Sequence, residues 1–140
     1  MPQNMKVSEL MSTDLVTLGE DDSLADAQRC MERGRLRHLP VVRDGKLTGL
    51  VTHRDLLAAS FSIFAEINTA EQRRIFAGIS VRELMHRRVK TVSPDLSVAE
   101  AARILFDNKF GCLPVVTDEG TLVGLITEAD FLRLTLKLLQ

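Results

Sequence analysis

The sequence predicts an α/β (α+β) fold built from two β-α-β-β-α units, and three observations carry that prediction. The chain repeats itself: a shift of 74 lays 7–44 on 81–118, and the extra residue Glu119 makes the shift 75 for 45–57 against 120–132. Val7/Val81, Glu9/Glu83, Leu10/Leu84, Met11/Met85, Thr17/Thr91, Ser23/Ser97 and Arg29/Arg103 coincide, and "LPVV" stands at 39–42 and again at 113–116. Short β-type runs alternate with amphipathic helical runs in both copies. Each helical run opens on a capping signature, Ser with an acid three residues on. Two copies are too few for a solenoid, so each unit is expected to need the other's apolar face.

Taken in order, "VSEL" and "VRELM" predict short helical turns, and "LVTL" and "VKTV" predict short strands. Ser23 with Asp26, and Ser97 with Glu100, cap the first helix of each unit. Its apolar face carries Leu24, Ala27 and Met31 in one copy and Val98, Ala101 and Leu105 in the other. Gly34 and Asn108 are expected to end these helices, since both residue types tolerate a left-handed cap. "LPVV" predicts a buried strand, "RDGK" and "DEGT" hairpin turns, and "LTGLVT" and "LVGLIT" strands that run straight into a second helix. The expected divisions are repeat 1 over 5–57, a helical linker over 58–78, repeat 2 over 79–133 and a helix end over 134–140. Phe61, Phe64, Ile67, Ile75 and Phe76 give the linker the rhythm of one long or broken helix. Phe131, Leu134 and Leu138 predict an apolar face on the last helix.

Composition excludes several classes. The chain has 140 residues, 45% of them hydrophobic and 26% charged, with net charge −1, as in an ordinary globular domain with no global field toward nucleic acid or anionic lipid. The N-terminal stretch lacks a signal peptide's pattern and no apolar run approaches a membrane span, so a cytoplasmic protein without membrane contact is expected. No G-x-G-x-x-G, P-loop or G-x-S-x-G occurs, and His38, His53 and His86 lack metal-ligand spacing, which gives no catalytic residue, no metal and no enzyme. The three histidines read as surface or helix-edge residues. "HRRVK" at 86–90 has no interleaved aromatics, so it reads as a solvated face rather than a nucleic-acid patch. Cys30 reads as core; Cys112 stands where repeat 1 has His38.

The phrase G-L-x-T-x-x-D occurs twice, as Gly49, Leu50, Thr52, Asp55 and as Gly124, Leu125, Thr127, Asp130. Thr-x-x-Asp at a strand-to-helix turn is a capping box, and the same carboxylate beside a helix N-terminus can accept a ribose diol next to a phosphate. The glycine admits close approach of a ligand or of backbone. Both readings stay open on these residues alone.

"RHLPVV", "GCLPVV", "DGKLTGLVTHRDLL" and "GTLVGLITEADFL", in this order and duplicated, resemble the tandem CBS-domain pair, or Bateman module, over about residues 5–57 and 79–133. The resemblance implies two units packed around a pseudo-twofold axis, with clefts between them for adenosyl compounds: AMP, ADP, ATP or S-adenosylmethionine. It implies ribose binding by Thr52 with Asp55 and by Thr127 with Asp130. It also implies an adenine wall at Thr17 to Glu20, including Gly19, with Leu36 to His38, and at Thr91 to Pro94, including Ser93, with Phe110 to Cys112, including Gly111. His53 and Arg54 supply positive charge after the first motif Thr, where repeat 2 has Glu128 and Ala129; Arg37 and His38 are further phosphate candidates. The expected role is a regulatory sensor that forms a homodimer through its leucine-rich motif helices and tail and signals to a separate partner protein. The alternatives are a structural dimerisation module with empty clefts and a nucleic-acid-associated regulator using "HRRVK".

Overall fold

A computed structural model describes residues 4–64 and 68–140, and the side chains of 61–64 are not described. The expected positions Phe61 and Phe64 (as side chains) and Ile67 therefore lie outside the described residues. The helices are α1 (Val7–Leu10), α2 (Leu24–Gly34), α3 (His53–Phe64), α4 (Thr69–Ala77), α5 (Val98–Asn108) and α6 (Glu128–Leu139). The strands are β1 (His38–Arg43), β2 (Lys46–Thr52), β3 (Cys112–Val116) and β4 (Leu122–Thr127), and Val81–Glu83 forms a 3₁₀ turn. The fold is thus mixed helix and strand with two small sheets, as the repeat predicts.

The chain divides into two compact units, one of Val16–Val89 and one of Met1–Leu15 with Lys90–Gln140. In the first, β1 pairs antiparallel with β2, His38 opposite Thr52 and Arg43 opposite Lys46. Asp44 and Gly45 both have positive φ, 52° and 80°, the two-residue turn that suits the strands' right-handed twist. The expected strand "LVTL" shrinks to a single parallel bridge, Leu18 with Val41. Leu18 donates to the Pro40 carbonyl at 2.9 Å and accepts from Val42 at 2.8 Å, so proline's missing N–H costs nothing there. α2 is capped as expected: Asp26 N–H donates to Ser23 Oγ and Ser23 N–H to Asp26 Oδ2, each at 3.0 Å. Its core face is Leu24, Ala27 and Met31, packed with Leu39, Val41, Val51, Leu56 and Phe76. Phe76 belongs to α4, whose N-cap is Asn68, so the expected linker helix is broken. Ile75 is largely exposed.

The second unit repeats this plan. β3 pairs antiparallel with β4, Cys112 opposite Thr127, and Val92 makes the single parallel bridge to Val115. α5 buries Val98, Ala101 and Leu105. One expectation fails in both units by one position. Gly34 and Asn108 are the last helical residues, and the left-handed caps are Arg35 (φ 52°) and Lys109 (φ 55°). At Gly34 a Cβ would crowd Leu36 side-chain carbons at 3.0 Å, so the position is tight rather than left-handed.

Each compact unit takes its entry turn from the other sequence repeat. Val81 and Met85 lie in the core with residues 18–76, whereas Val7 and Leu10 lie in the core with residues 92–126. The turns are fixed by backbone pairing: His86 exchanges two hydrogen bonds with Leu50 (2.9 and 3.0 Å), and Ser12 two with Leu125 (2.9 and 3.0 Å). This pairing explains the repeated glycine and methionine. A Cβ on Gly49 would lie 2.6 Å from Met85 Sδ and 2.9 Å from the His86 carbonyl oxygen. A Cβ on Gly124 would collide with Met11 Sδ. Of the approaches the glycine was expected to admit, the one seen is by the chain's own entry turn.

Candidate functional site

In the unit Val16–Val89, β2 ends at Thr52 and α3 begins at His53, so the free N–H groups of a first helical turn face the end of a hairpin. Thr52 N–H donates to Asp55 Oδ2 at 3.0 Å and Asp55 N–H donates to Thr52 Oγ1 at 3.2 Å. The capping reading of T-x-x-D is therefore correct here, and it uses one carboxylate oxygen. The other, Oδ1, accepts from His86 Nε2 at 2.9 Å; the ring nitrogen must be the donor, because an ionised carboxylate only accepts. Burial pushes the Asp55 carboxyl up, but the Thr52 hydroxyl, the His86 ring and the Thr52 N–H together outweigh it and hold it below the usual value. A charged carboxylate thus sits at this turn with 18% of its side chain exposed.

The same unit gathers most of the predicted phosphate and adenine residues of repeat 1. His38 is paired across the hairpin with Thr52, and His53 N–H donates to the Arg37 carbonyl at 2.8 Å, so Arg37, His38, Thr52, His53 and Asp55 meet at one end of the sheet. Arg37, His53 and Arg54 are exposed. Thr17 and Gly19 flank the Leu18 bridge; Gly19 N–H is spent on Asp22 Oδ2 at 2.7 Å.

The second turn has different surroundings. Thr127 N–H donates to Asp130 Oδ2 at 2.8 Å, while Asp130 Oδ1 accepts from Arg133 Nη2 at 2.8 Å and from Ser12 Oγ at 3.3 Å. Asp130 is only 2% exposed, and among the described residues it is the buried charged one. Gly111 and Cys112 lie at the same sheet end, Cys112 opposite Thr127. Burial pushes the Cys112 thiol up to about 12, which removes it as a nucleophile at neutral pH. Thr91 and Ser93 flank the Val92 bridge, and the Pro94 carbonyl accepts from Ser8 N–H at 3.0 Å. Glu128 is exposed and lines the groove between α5 and α6.

Sequence reasoning missed His86, Ser12 and Arg133. One signal was available: His86 and Ser12 align under the 74-residue shift, and both donate to the non-capping oxygen of a motif aspartate. The basic run at 86–90 is partly neutralised, with Arg87 against Glu20 at 3.5 Å. Among the described residues no group of three His, Cys, Asp or Glu could hold a metal, and no helix is long and apolar enough to cross a membrane.

The groove between α5 and α6 encloses about 980 Å³ and is lined by Phe106, Phe110, Phe131, Leu132 and Thr135 among others. Phe131 and Leu134 pack on the core, whereas Leu138, on the same face by helical rotation, is 58% exposed. The exposed stripe is Leu132, Leu136 and Leu139.

Duplicated hairpin-and-helix units, each with a helix-capping aspartate at a sheet end, define a two-repeat α/β module. The family model for the CBS domain matches residues 7–62 and again 81–137. This chain belongs to the CBS-domain family. It is 33% identical over 135 residues to a CBS domain-containing protein of Dictyostelium discoideum, covering 96% of this chain and 93% of that one. Other curated relatives are longer: this chain spans 47% of one and 23% of another. Among solved structures it is similar to CBSX2 from Arabidopsis thaliana in complex with AMP, at TM-score 0.81 and 28% identity over 96% of this chain and 98% of that one. It is also similar to the CBS domain pair of protein MJ0100 in complex with 5′-methylthioadenosine and S-adenosyl-L-methionine, at TM-score 0.75 and 26% identity over 94% and 95%.

Proposed function

We propose that this chain is a regulatory module that binds an adenosine-containing ligand and acts by binding rather than by catalysis. The observation that carries the reading is the ionised, partly exposed Asp55 carboxylate at the start of α3, with Arg37, His38, His53 and Arg54 at the same sheet end. A carboxylate suits a ribose diol, and a helix N-terminus with cations suits a phosphate. AMP in one structural relative and 5′-methylthioadenosine with S-adenosyl-L-methionine in another support the ligand class. Thr17, Gly19, Thr91, Ser93, Pro94, Gly111 and Cys112 are proposed adenine-side residues. Asp130 with Thr127 is proposed as the weaker site, being buried and already paired to Arg133.

The module is further proposed to work in the cytoplasm as a homodimer and to pass its ligand state to a separate protein. The exposed leucines of α6 and the Phe106 side chain, 84% exposed, support self-association. The same residues favour the second reading, a dimerisation module that takes no ligand. A nucleic-acid role is disfavoured by the pairing of Arg87 with Glu20 and of Arg82 with Asp21. Thermal unfolding with AMP, ADP, ATP, S-adenosylmethionine and 5′-methylthioadenosine separates the readings: ligand at about 100 times its dissociation constant adds roughly 2.7 kcal/mol of stability. A flat response to all five at millimolar concentration refutes the sensor and leaves the dimerisation module. Sedimentation of Leu136→Asp checks the assembly: dissociation to monomers is expected at concentrations where the unsubstituted chain is dimeric.

A further inference from the structure

We propose that His86 sets the affinity of the Asp55 site for ribose-bearing ligands by competing for the carboxylate. This rests on the reading of Asp55 as a ribose clamp. Asp55 Oδ2 is committed to the Thr52 N–H, so Oδ1 is the oxygen a ribose hydroxyl needs, and His86 Nε2 holds it at 2.9 Å. The ring can let go cheaply. Its backbone is locked to Leu50 by two hydrogen bonds, yet its side chain is 57% exposed, so a side-chain rotation releases Asp55 without disturbing the sheet.

The other half of the chain shows what this arrangement replaces. Ser12, the aligned residue, touches Asp130 Oδ1 at a longer 3.3 Å, while Arg133 supplies the charge at 2.8 Å from one turn along α6. The position aligned with Arg133 is Ala58, so α3 offers Asp55 no such arginine. One aspartate has a permanent cation within its own helix; the other is met by a half-exposed ring from a distant turn. The ring N–H donates to an ionised carboxylate, a charge-assisted hydrogen bond that a ribose hydroxyl must displace. The other charged groups around His86 are Arg87 and Arg88 beside it in the chain, Glu20 paired to Arg87, and His53 and Arg54 ahead of Asp55 on α3. Removing the ring therefore raises ligand affinity at Asp55.

The test uses 5′-methylthioadenosine, which has a ribose and no phosphate, and calorimetric titration of the whole chain at one neutral pH. His86→Ser, which installs the residue of the other half, should bind about tenfold more tightly than the unsubstituted chain. His86→Gln, which keeps a donor for Asp55, should lie between the two. Retained melting temperatures show that both variants fold. Equal affinity in all three chains overturns the proposal and leaves the adenosine site standing. Weaker binding by His86→Ser also overturns it, because His86 would then be a ligand contact. Absence of binding in all three refutes the adenosine reading itself. Binding seen only in His86→Ser supports the competition.

Discussion

Asp55 and Asp130 occupy the same place in two copies of one motif, and the fold uses them differently. Both cap a helix through Oδ2, at 3.0 Å to Thr52 N–H and 2.8 Å to Thr127 N–H. Asp130 is then buried and closed off by an arginine of its own helix, whereas Asp55 stays partly open and is met by a histidine from a distant turn. Duplication thus preserved the cap, which the backbone needs in both units. The second carboxylate oxygen was free to diverge.

The largest expected effect separates the two aspartates. Asp55→Ala should weaken AMP binding by about ten- to hundredfold, the loss of roughly 1.5–3 kcal/mol from charge-assisted hydrogen bonds, with a modest loss of stability. Asp130→Ala should do the reverse. It unpairs Thr127 N–H, Ser12 and Arg133 around a buried position and should cost about 1–3 kcal/mol of stability, with a smaller change in the tighter binding event. Calorimetry with AMP and ATP alongside denaturant unfolding reads both. If Asp130→Ala abolishes the tighter event while Asp55→Ala leaves it intact, the two sites have been assigned the wrong way round.

The glycines sharpen the comparison further. Gly49→Ala meets the rigid His86 carbonyl as well as Met85, and should cost about 1–3 kcal/mol in chemical unfolding. Gly124→Ala meets atoms of the flexible Met11 side chain and should cost less. Equal costs would mean that the two entry turns are equally unyielding.

The smallest effect is in acid. Because Asp55 is held below its ordinary value, its stabilising contribution is complete above the unfolded value of about 3.9 and fades as pH falls through the lower folded value. Asp55→Asn should lose part of the stability at neutral pH and show a shallower decline below about pH 4. An unchanged acid limb in an acid-unfolding series would show that Thr52 and His86 do not stabilise the charged form.

Much of this was legible in the residues. The capping box at Ser23, the N-cap at Ser97, the Asp44–Gly45 turn and the apolar face of α2 are local features whose chemistry lies within four residues. The strand "LVTL" was overstated because only Leu18 of it bridges to β1, at Val41. Left-handed caps at Arg35 and Lys109 were hidden because residue preference pointed to the glycine and asparagine before them. The partners of the motif aspartates were hidden by distance: His86 is 31 residues from Asp55, and Ser12 is 118 from Asp130. No local pattern reports such a contact.

The exchanged entry turns bear on how the chain reaches its native state. Ser12 N–H closes onto the Leu125 carbonyl at 2.9 Å, a contact that waits for nearly the whole sequence to be available. Loop-closure entropy makes such pairings late and slow relative to the β1–β2 hairpin, whose contacts are local. A polypeptide severed within 58–78 would leave each piece without part of its own apolar core, yet holding the part its counterpart lacks. Two such pieces mixed together have reason to find one another, and complementation between them would report, without any ligand, that the turns are shared.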